Sequence, residues 1–597
     1  MNILGVKVTS HDTGAAVLAG ARIVAIAEER LNRVKHSKNM FPRLAIDYCL
    51  KEAGLADGDI DMIVLDQVGY RNEVPSDRIF MENMKGRFAG VPIHIINHHD
   101  AHAASAFFAS PFEESAVMVA DGSGEKRKNY LGVIGTETET LYRGSGNKLI
   151  EIQKTIHQRR RRAFRHSMGI GKLYTFICEA YLSLGAYNEG KMMGLAPYGD
   201  DRVLREFPLE RWFAEVDGHL ICNANITFPG AEKYLEGRKV DSPFSARIKE
   251  RLEDVAFAII SFVSGGRKEF FERPSHFTEI NLRQPARGAK DPLPDPYYAS
   301  VAYAAQKVLE EVMVRLGKRL RAVTGSDNLC LAGGVGLNID ANRRFLEDVE
   351  FKHLFVQPAA SDTGIALGCV LYGAHMIAGL PRFWRMSNVA LGRPYGEVEI
   401  EAALKAYADK IVVTRPTDIA EVAATHVANS KIVGWFSGGA EYGPRALGHR
   451  SILCDARNPE MANIANKKVK FREPWRPFAA SVLAERQSAW FALEHPSPFM
   501  LLAAQVLPEK RSQVPSIVHV DGSCRIQSVT QESNERYYRF LQAFERQTSV
   551  PLVLNTSFNL AGEPIVETPA EAIRCFLASG MEYLVLENCI LEKRPTA

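Results

Sequence analysis

The sequence predicts an α/β protein of two regions, and three observations lead there. The chain opens on short alternating strands. It returns repeatedly to a strand, a glycine turn and a helix. A weakly patterned stretch with Pro381 and Pro394 then separates a long first region from a second with the same alternation. At 597 residues the chain exceeds what one hydrophobic core usually serves, so more than one domain is expected.

Residues 3–8 read as a strand, 10–14 as a turn, and 15–19 and 22–27 as two further strands. Helical spacing runs over 44–54, strands over 62–65 and 92–96, and a helix begins at the histidines that follow. The apolar run 116–120 reads as a buried strand that ends on Asp121-Gly122. Residues 328–332 enter Gly333-Gly334-Val335-Gly336-Leu337-Asn338, a second strand–glycine loop–helix unit. A third junction, 355–364, passes through Asp362 into an apolar helix from Ile365. The stretch 379–395 is the boundary, which gives domains of 1–388 and 389–597. Beyond it helical spacing resumes over 398–407, and a strand at 551–554 carries Asn555 and Ser557 at its tip. Residues 285–296 read as an exposed loop before a helix over 297–321.

Charged residues are 24% and hydrophobic residues 46%, an ordinary soluble composition. The net charge of +3 over this length argues neither for nor against a nucleic acid by itself; a duplex would want a broad basic face with aromatics, and no nucleic acid is expected as a partner. The nine cysteines form no C-x-x-C pair and read as reduced thiols. The first residues look like a strand, not a leader, and no run reaches the ~18–20 apolar residues of a membrane span. A cytoplasmic protein with no membrane contact is the expectation.

His98 and His102 lie four apart, so on a helix both imidazoles face one point. With Asp121 and Asp362 they make a two-nitrogen, two-oxygen set that suits Fe(II), Mn(II) or Zn(II). His99 projects away from the pair, and no glutamate follows His98, which argues against a zinc protease. The turns at Asp121-Gly122 and at Gly333, Gly334, Val335 and Asn338 suit a nucleotide phosphate or ribose. In the second region Arg445, Arg450, Lys467, Lys468 and Arg476 are interleaved with prolines and Trp475. That pattern fits a shaped pocket for a small phosphorylated ligand. The four arginines at 159–162 read as a solvated stretch, with contact to a nucleotide triphosphate as the alternative.

Taken together, these segments resemble the O-carbamoyltransferases of antibiotic and nodulation-factor biosynthesis. The resemblance rests on their order: His11-Asp12, the run from Glu28-Glu29-Arg30 to Lys35-His36, the histidine helix, Asp121-Gly122, Glu189-Gly190-Lys191-Met192-Met193-Gly194, the Gly333 loop, and the Arg445, Arg476 and Asn555 segments. It spans nearly the whole chain and implies two active sites. The first domain is expected to be Kae1-like, with an actin-like ATPase fold, and the second YrdC-like. The resemblance implies that carbamoyl phosphate and ATP, with Mg(II), form carbamoyl adenylate in the second domain. The carbamoyl group then passes internally to the first, where a hydroxyl of a small natural product (antibiotic, toxin or oligosaccharide type) accepts it. By the same match Arg445, Arg476, Arg525, Asn555 and Ser557 hold carbamoyl phosphate, with Arg450, Lys467 and Lys468 lining the pocket. His98, His102, Asp121 and Asp362 hold the metal, Fe(II) first, and His11 or Asp12 is the general base. The alternative for the last pair is a turn satisfied by its own side chains. Lys35 contacts acceptor or phosphate, or is a surface lysine. An enzyme of tRNA threonylcarbamoyladenosine formation is the nearest rival, and an actin-like nucleotide switch the non-enzymatic one. The stretch from Gly199 to Tyr297 is longer than in compact members, and the acceptor and oligomeric state are not legible.

Overall fold

The computed structural model describes residues 1–67, 75–128, 134–158, 168–216, 218–229, 278–283 and 295–595. The arginine run 159–162 and most of the loop 285–296 lie outside them. The chain divides into two compact units, residues 1–120, 141–152 and 313–597 in the first and residues 121–140 and 153–312 in the second.

The first unit starts with β1 (Asn2–Lys7), β2 (Gly14–Ala19), β3 (Arg22–Ala27), β4 (Met62–Gln67) and β5 (Ile93–Asn97), in the order β3-β2-β1-β4-β5. The hairpins β1–β2–β3 are antiparallel, whereas β1, β4 and β5 are parallel. Side chains alternate across a strand. Leu4 and Val6 of β1, with Ile63 and Leu65 of β4, therefore share a core with Ala45, Ile46 and Cys49 of the helix Arg43–Ala53. Ile3, Gly5 and Lys7 point the other way, as do Met62, Val64 and Asp66. That inner face is covered by the helix Ile365–Tyr372, so close to β1 that a Cβ on Gly5 would collide with the Ala366 carbonyl.

The helix His98–Phe107 leaves β5 directly. Its start is fixed by Asn97, whose side-chain oxygen accepts from the N–H groups of His99 (3.0 Å) and Asp100 (3.3 Å). Its end is met by Arg382, which donates to the carbonyls of Phe107 (3.0 Å), Ser110 (2.7 Å) and Phe112, a cation placed on the negative end of a helix. This helix packs on Ile365–Tyr372 with Gly368 at the crossing, where a Cβ would overlap the Ala101 carbonyl. β6 (Glu114–Ala120) follows.

In the chain after β6 come β7 (Lys126–Lys128), β8 (Ile134–Ser145) and β9 (Lys148–Gln158). The second unit further contains the antiparallel pair β10 (Ala214–Val216) and β11 (His219–Ile221), and the parallel pair β12 (Ala224–Thr227) and β13 (Thr278–Asn281). In the first unit β14 (Asn328–Ala332) runs parallel to both β6 and β15 (His353–Val356). Gly333 ends β14 with φ +91°, and a Cβ there would strike the Ala120 carbonyl, so this glycine is required by the meeting of two strand ends.

Residues 379–395 hold no helix or strand beyond an isolated bridge at Ala390. Next come β16 (Ile411–Thr414), β17 (Val433–Phe436), β18 (Arg450–Cys454), β19 (Ala479–Leu483), β20 (Leu502–Gln505), β21 (Ser523–Val529), β22 (Leu552–Ser557), β23 (Tyr583–Leu586) and β24 (Cys589–Lys593). They form one sheet in the order β16-β24-β23-β17-β18-β22-β19-β21-β20. Its core includes Trp435, Ile452, Val482 and Val553, with Tyr537, Phe540 and Phe544 of the helix Glu535–Thr548. Asn555 and Ser557 lie inside β22, not beyond its tip as the apolar run 551–554 suggested, because β18 continues the ladder opposite them. All nine cysteines are buried and free. No helix among the described residues is long and apolar enough to cross a membrane.

Gly368→Ala is expected to force the two inner helices apart and to cost about 1–3 kcal/mol, the usual range for overpacking. Urea unfolding at equilibrium reads it; a midpoint equal to that of the parent chain would show that the crossing tolerates a methyl group.

Candidate functional site

The first unit holds two charged centres of opposite character. In the first, the capped helix presents His98 and His102 on one face, their ring centroids 4.7 Å apart and nearly perpendicular. Asp362, at the turn before the helix Ile365–Tyr372, sets Oδ1 3.4 Å from His98 Nε2 and 3.7 Å from His102 Nε2. The three residues bring one ligand atom each to within 4.8 Å of one another, and all are buried. Neither ring nitrogen of His102 has a hydrogen-bond partner among the described residues. A buried imidazole without a partner is costly unless something absent completes it. Two imidazoles and a carboxylate that converge in this way fit a divalent transition metal. Asp121 follows the last residue of β6 and opens the second unit, where its N–H donates to the Thr138 carbonyl (2.8 Å) and its Oδ2 accepts from Ser123 N–H (3.2 Å). His99 is buried with its ring 6.0 and 6.4 Å from those of His98 and His102.

Sequence reasoning missed two members of this centre. Lys7 Nζ lies 3.2 Å from Asp66 Oδ2 and 3.3 Å from Asp362 Oδ2, and Asp66 Oδ2 also lies 2.9 Å from His98 Nδ1. Burial would lower the Lys7 ammonium, but Asp66 and Asp362 outweigh it and raise it. Burial would raise the Asp362 carboxyl, yet Lys7, His11 and His98 hold it well below the usual carboxylate range. The signal was present: a charge at position 7 of an apolar strand, and another at position 66, each on the face that alternation turns inward.

His11 and Asp12 stand at the edge of this centre. His11 Nε2 is 3.9 Å from Asp362 Oδ2, and its Nδ1 is 3.2 Å from Asp12 Oδ2, while Asp12 Oδ1 meets His36 Nδ1 at 2.8 Å. Both Asp12 oxygens are thus engaged by imidazoles. The loops that carry these groups contain six non-glycine residues at positive φ: Ser10 (77°), Asp12 (50°), Arg33 (62°), His36 (62°), Ser37 (39°) and Asn39 (58°). They are stitched together by Asp12 N–H to the His36 carbonyl (2.7 Å) and Asn39 N–H to the Ser10 carbonyl (2.8 Å). Strained backbone of this kind persists where the surroundings over-determine it, and gathers at functional sites. Asp12, Glu29 and His36 also bring ligand atoms within 4.8 Å, but Asp12 and Glu29 already accept hydrogen bonds there.

The second centre is a nest of cations on the C-terminal sheet. Arg525, Ala479 and Asn555 stand side by side on β21, β19 and β22. The Arg445 and Arg525 guanidiniums have no hydrogen bond or ion pair among the described residues, and Arg476 has only Glu473 at 3.6 Å. Burial and their mutual repulsion push Arg445 well down, Arg525 to about 10 and Arg472 to about 9. Guanidiniums resist deprotonation, so the same field is a standing attraction for an anion. Asn555 is fully buried; its amide donates to Ala446 O (3.1 Å) and Ser481 Oγ (2.8 Å), and its Oδ1 has no partner among the described residues. Ser557 Oγ donates to Asn559 Oδ1 at 2.7 Å.

The lysines are placed differently from the sequence reading. Lys467 and Lys468 are exposed, and Lys468 pairs with Glu582 at 3.0 Å; the buried amine is Lys470, which donates to Ser557 O (2.8 Å) and Asn559 Oδ1 (2.7 Å). A π-turn over Asn466–Lys470 shifts the facing that a 3.6-residue period would give. Arg450 is not available to a ligand either. It is fully buried, donates to the carbonyls of Gly438 (3.0 Å), His449 (3.1 Å) and Glu567 (3.3 Å), and lies on the Phe436 ring. Lys35 is exposed and adds its charge to the field at Lys470. Of the glycine-loop residues, Gly333 serves strand packing, and Asn338 caps the helix Ile339–Glu347 by accepting from Ala341 N–H (3.0 Å).

Compared with known proteins, the chain matches the family described as carbamoyltransferase N-terminus over residues 2–83 and 76–371. It matches carbamoyltransferase C-terminus over residues 424–593. It is 32% identical to the nodulation protein NolNO of Sinorhizobium fredii, over 98% of this chain and 79% of that one. It is 33% identical to the nodulation protein NolO of Bradyrhizobium diazoefficiens, over 84% and 80%. An uncharacterized protein of Synechocystis is 35% identical, over 99% and 97%. Among solved structures, HypF of T. kodakarensis aligns with a TM-score of 0.31 at 13% identity, over 63% of this chain and 48% of that one.

Because the cations repel one another without an anion, Arg525→Met should raise the melting temperature in phosphate-free buffer and abolish the stabilisation that inorganic phosphate gives the parent chain. At 100 times the dissociation constant that stabilisation is about 2.7 kcal/mol. Differential scanning calorimetry with and without phosphate checks both signs, and an unchanged phosphate response in the variant would dissociate Arg525 from the anion site.

Proposed function

The chain belongs to the carbamoyltransferase family, and on that premise we propose that it is an ATP-dependent O-carbamoyltransferase that forms carbamoyl adenylate in its 389–597 region and transfers the carbamoyl group in its 1–388 region. The former is taken as YrdC-like, the latter as Kae1-like with an actin-like ATPase fold. The observation that carries this reading is the pair of guanidiniums, Arg445 and Arg525, with no anion beside them among the described residues.

In the first half-reaction Arg445, Arg476 and Arg525 receive carbamoyl phosphate, and the Asn555 Oδ1 acceptor takes an N–H of the carbamoyl group. Lys470 replaces Lys467 and Lys468 as the amine beside Ser557. Water releases phosphate and leaves carbamate; a carbamate oxygen then attacks the α-phosphorus of ATP, which enters with Mg(II), and pyrophosphate departs. Fixed cations stabilise the charge that develops, and one such donor is typically worth ~100- to 1,000-fold. Free carbamate loses CO2 readily, so exclusion of bulk water matters here.

In the second half-reaction the adenylate meets the strand-tip turns at Asp121-Gly122 and Gly334-Val335. His11 is the general base, since both oxygens of Asp12 are already engaged and orient it. The acceptor oxygen attacks the carbamoyl carbon, its proton passes to His11 Nε2, and the bond to AMP breaks. His98, His102 and Asp362 would hold a divalent cation (Fe(II) first, Mn(II) or Zn(II) admissible by ligand type), and the resemblance makes Asp121 its fourth ligand. When bound, it supplies Lewis-acid polarisation of the adenylate. The acceptor is a hydroxyl of a small natural product.

Arg476→Ala should cost at least ~100-fold in carbamoyl phosphate-dependent pyrophosphate release. His102→Ala should leave that release intact and stop transfer to the acceptor. Pyrophosphate assays with and without carbamoyl phosphate, alongside mass detection of the carbamoylated product, measure each half. Loss of the same half in both variants, or pyrophosphate release indifferent to carbamoyl phosphate, would overturn the two-centre reading.

A further inference from the structure

A closed circuit of contacts runs through the first centre. His98 Nδ1 meets Asp66 Oδ2 (2.9 Å), which meets Lys7 Nζ (3.2 Å), which meets Asp362 Oδ2 (3.3 Å); Asp362 Oδ1 then returns to His98 Nε2 (3.4 Å). Lys7, Asp66 and His98 are fully or almost fully buried, so no solvent relaxes the circuit. A carboxylate oxygen can only accept. Its contact with His98 therefore requires the proton on Nδ1 and leaves the Nε2 lone pair on the side of His102 and Asp362. The ammonium fixes the other end in the same way: it occupies Asp362 Oδ2 and leaves Oδ1 toward the histidines.

Resting on the metal-centre reading above, we infer that Asp66 and Lys7 are positioning residues of that centre, Asp66 by setting the tautomer and tilt of His98 and Lys7 by limiting Asp362 to one ligand oxygen. Neither touches the ion or the reacting groups. Imidazoles that bind metals generally donate their second N–H to such a partner, and loss of the partner typically weakens metal binding ~10- to 100-fold. Both residues belong to strands, β4 and β1, whose parallel register brings positions 66 and 7 together. The ligand geometry is thereby built into the sheet itself.

The test titrates the full-length chain, stripped with chelator, with Co(II) against a competing chelator. Asp66→Ala should weaken Co(II) binding ~10- to 100-fold. Asp66→Asn should weaken it less, because Lys7 keeps the amide oxygen turned toward His98. In a His98→Ala background Asp66→Ala should have no further effect, since Asp66 acts through that imidazole. Lys7→Met should change the intensity of the Co(II) absorption bands as the second Asp362 oxygen joins the ion. An Asp66→Ala affinity within about threefold of the parent, or an equal loss with and without His98, would overturn the role of Asp66; an unaltered Lys7→Met spectrum would overturn that of Lys7. If Asp66→Ala does not fold, the Asp66→Asn comparison across the two His98 backgrounds decides the same point. A parent chain that takes up no Co(II) would instead remove the metal-centre reading.

Discussion

The buried ammonium of Lys7 between Asp66 and Asp362 is the contact on which the first centre depends. Ions taken out of water cost several kcal/mol each unless geometry and further hydrogen bonds compensate. Three charged side chains at the inner face of one sheet are therefore tolerable only as a set. Alternation along β1 and β4 dictates that positions 7 and 66 face inward. Gly5 lets the covering helix descend far enough to carry Asp362 to them. The close helix crossing at Gly368 and the capping of both ends of His98–Phe107 then fix where the two imidazoles stand. Sheet register, helix packing and ligand placement are one constraint seen at three scales.

The segment from Glu28 to Tyr48 ties this centre to the C-terminal region that carries the cation nest. Arg30 donates to the Gly443 carbonyl (2.9 Å), Arg33 to the carbonyls of Pro564 and Ile565 (both 2.7 Å), and Tyr48 to Glu567 (2.8 Å). Within it, two adjacent residues serve the two centres: His36 bonds Asp12 in one, and Lys35 adds to the field at Lys470 in the other. The strained φ values of this segment cost roughly 1–3 kcal/mol each in general. They are held by bonds at both ends, which a freely moving loop would not supply.

Which parts were legible follows from how local the signal is. His98 and His102 announce themselves because helical spacing is periodic and Asn97 marks the start. Lys7 and Asp66 lie 59 residues apart and meet only through strand pairing, which no local pattern encodes. Lys470 was masked by a π-turn that breaks the period at the decisive place, and the sequence pointed to Lys467 and Lys468 in its stead. Arg450 sat in the right motif, yet β18 turns it onto main-chain carbonyls. Asn338 and Gly333 belong to a loop whose composition suits a phosphate, and the fold gives one a cap and the other a strand contact that no local pattern announces. The strands 22–27 and 328–332 were read to the residue because glycine bounds each apolar run, whereas 551–554 stopped three residues short because polar Asn555 and Ser557 continue its ladder.

The two centres pose opposite electrostatic problems with one solution. In the first, carboxylates outnumber their buried ammonium and two imidazoles wait on the far side, so a cation lowers the energy of the fold. In the second, Arg445, Arg472, Arg476 and Arg525 crowd one another, so an anion does the same. Preorganised charge of this kind costs stability in the empty protein and returns it as binding, because nothing need reorient when the ligand arrives.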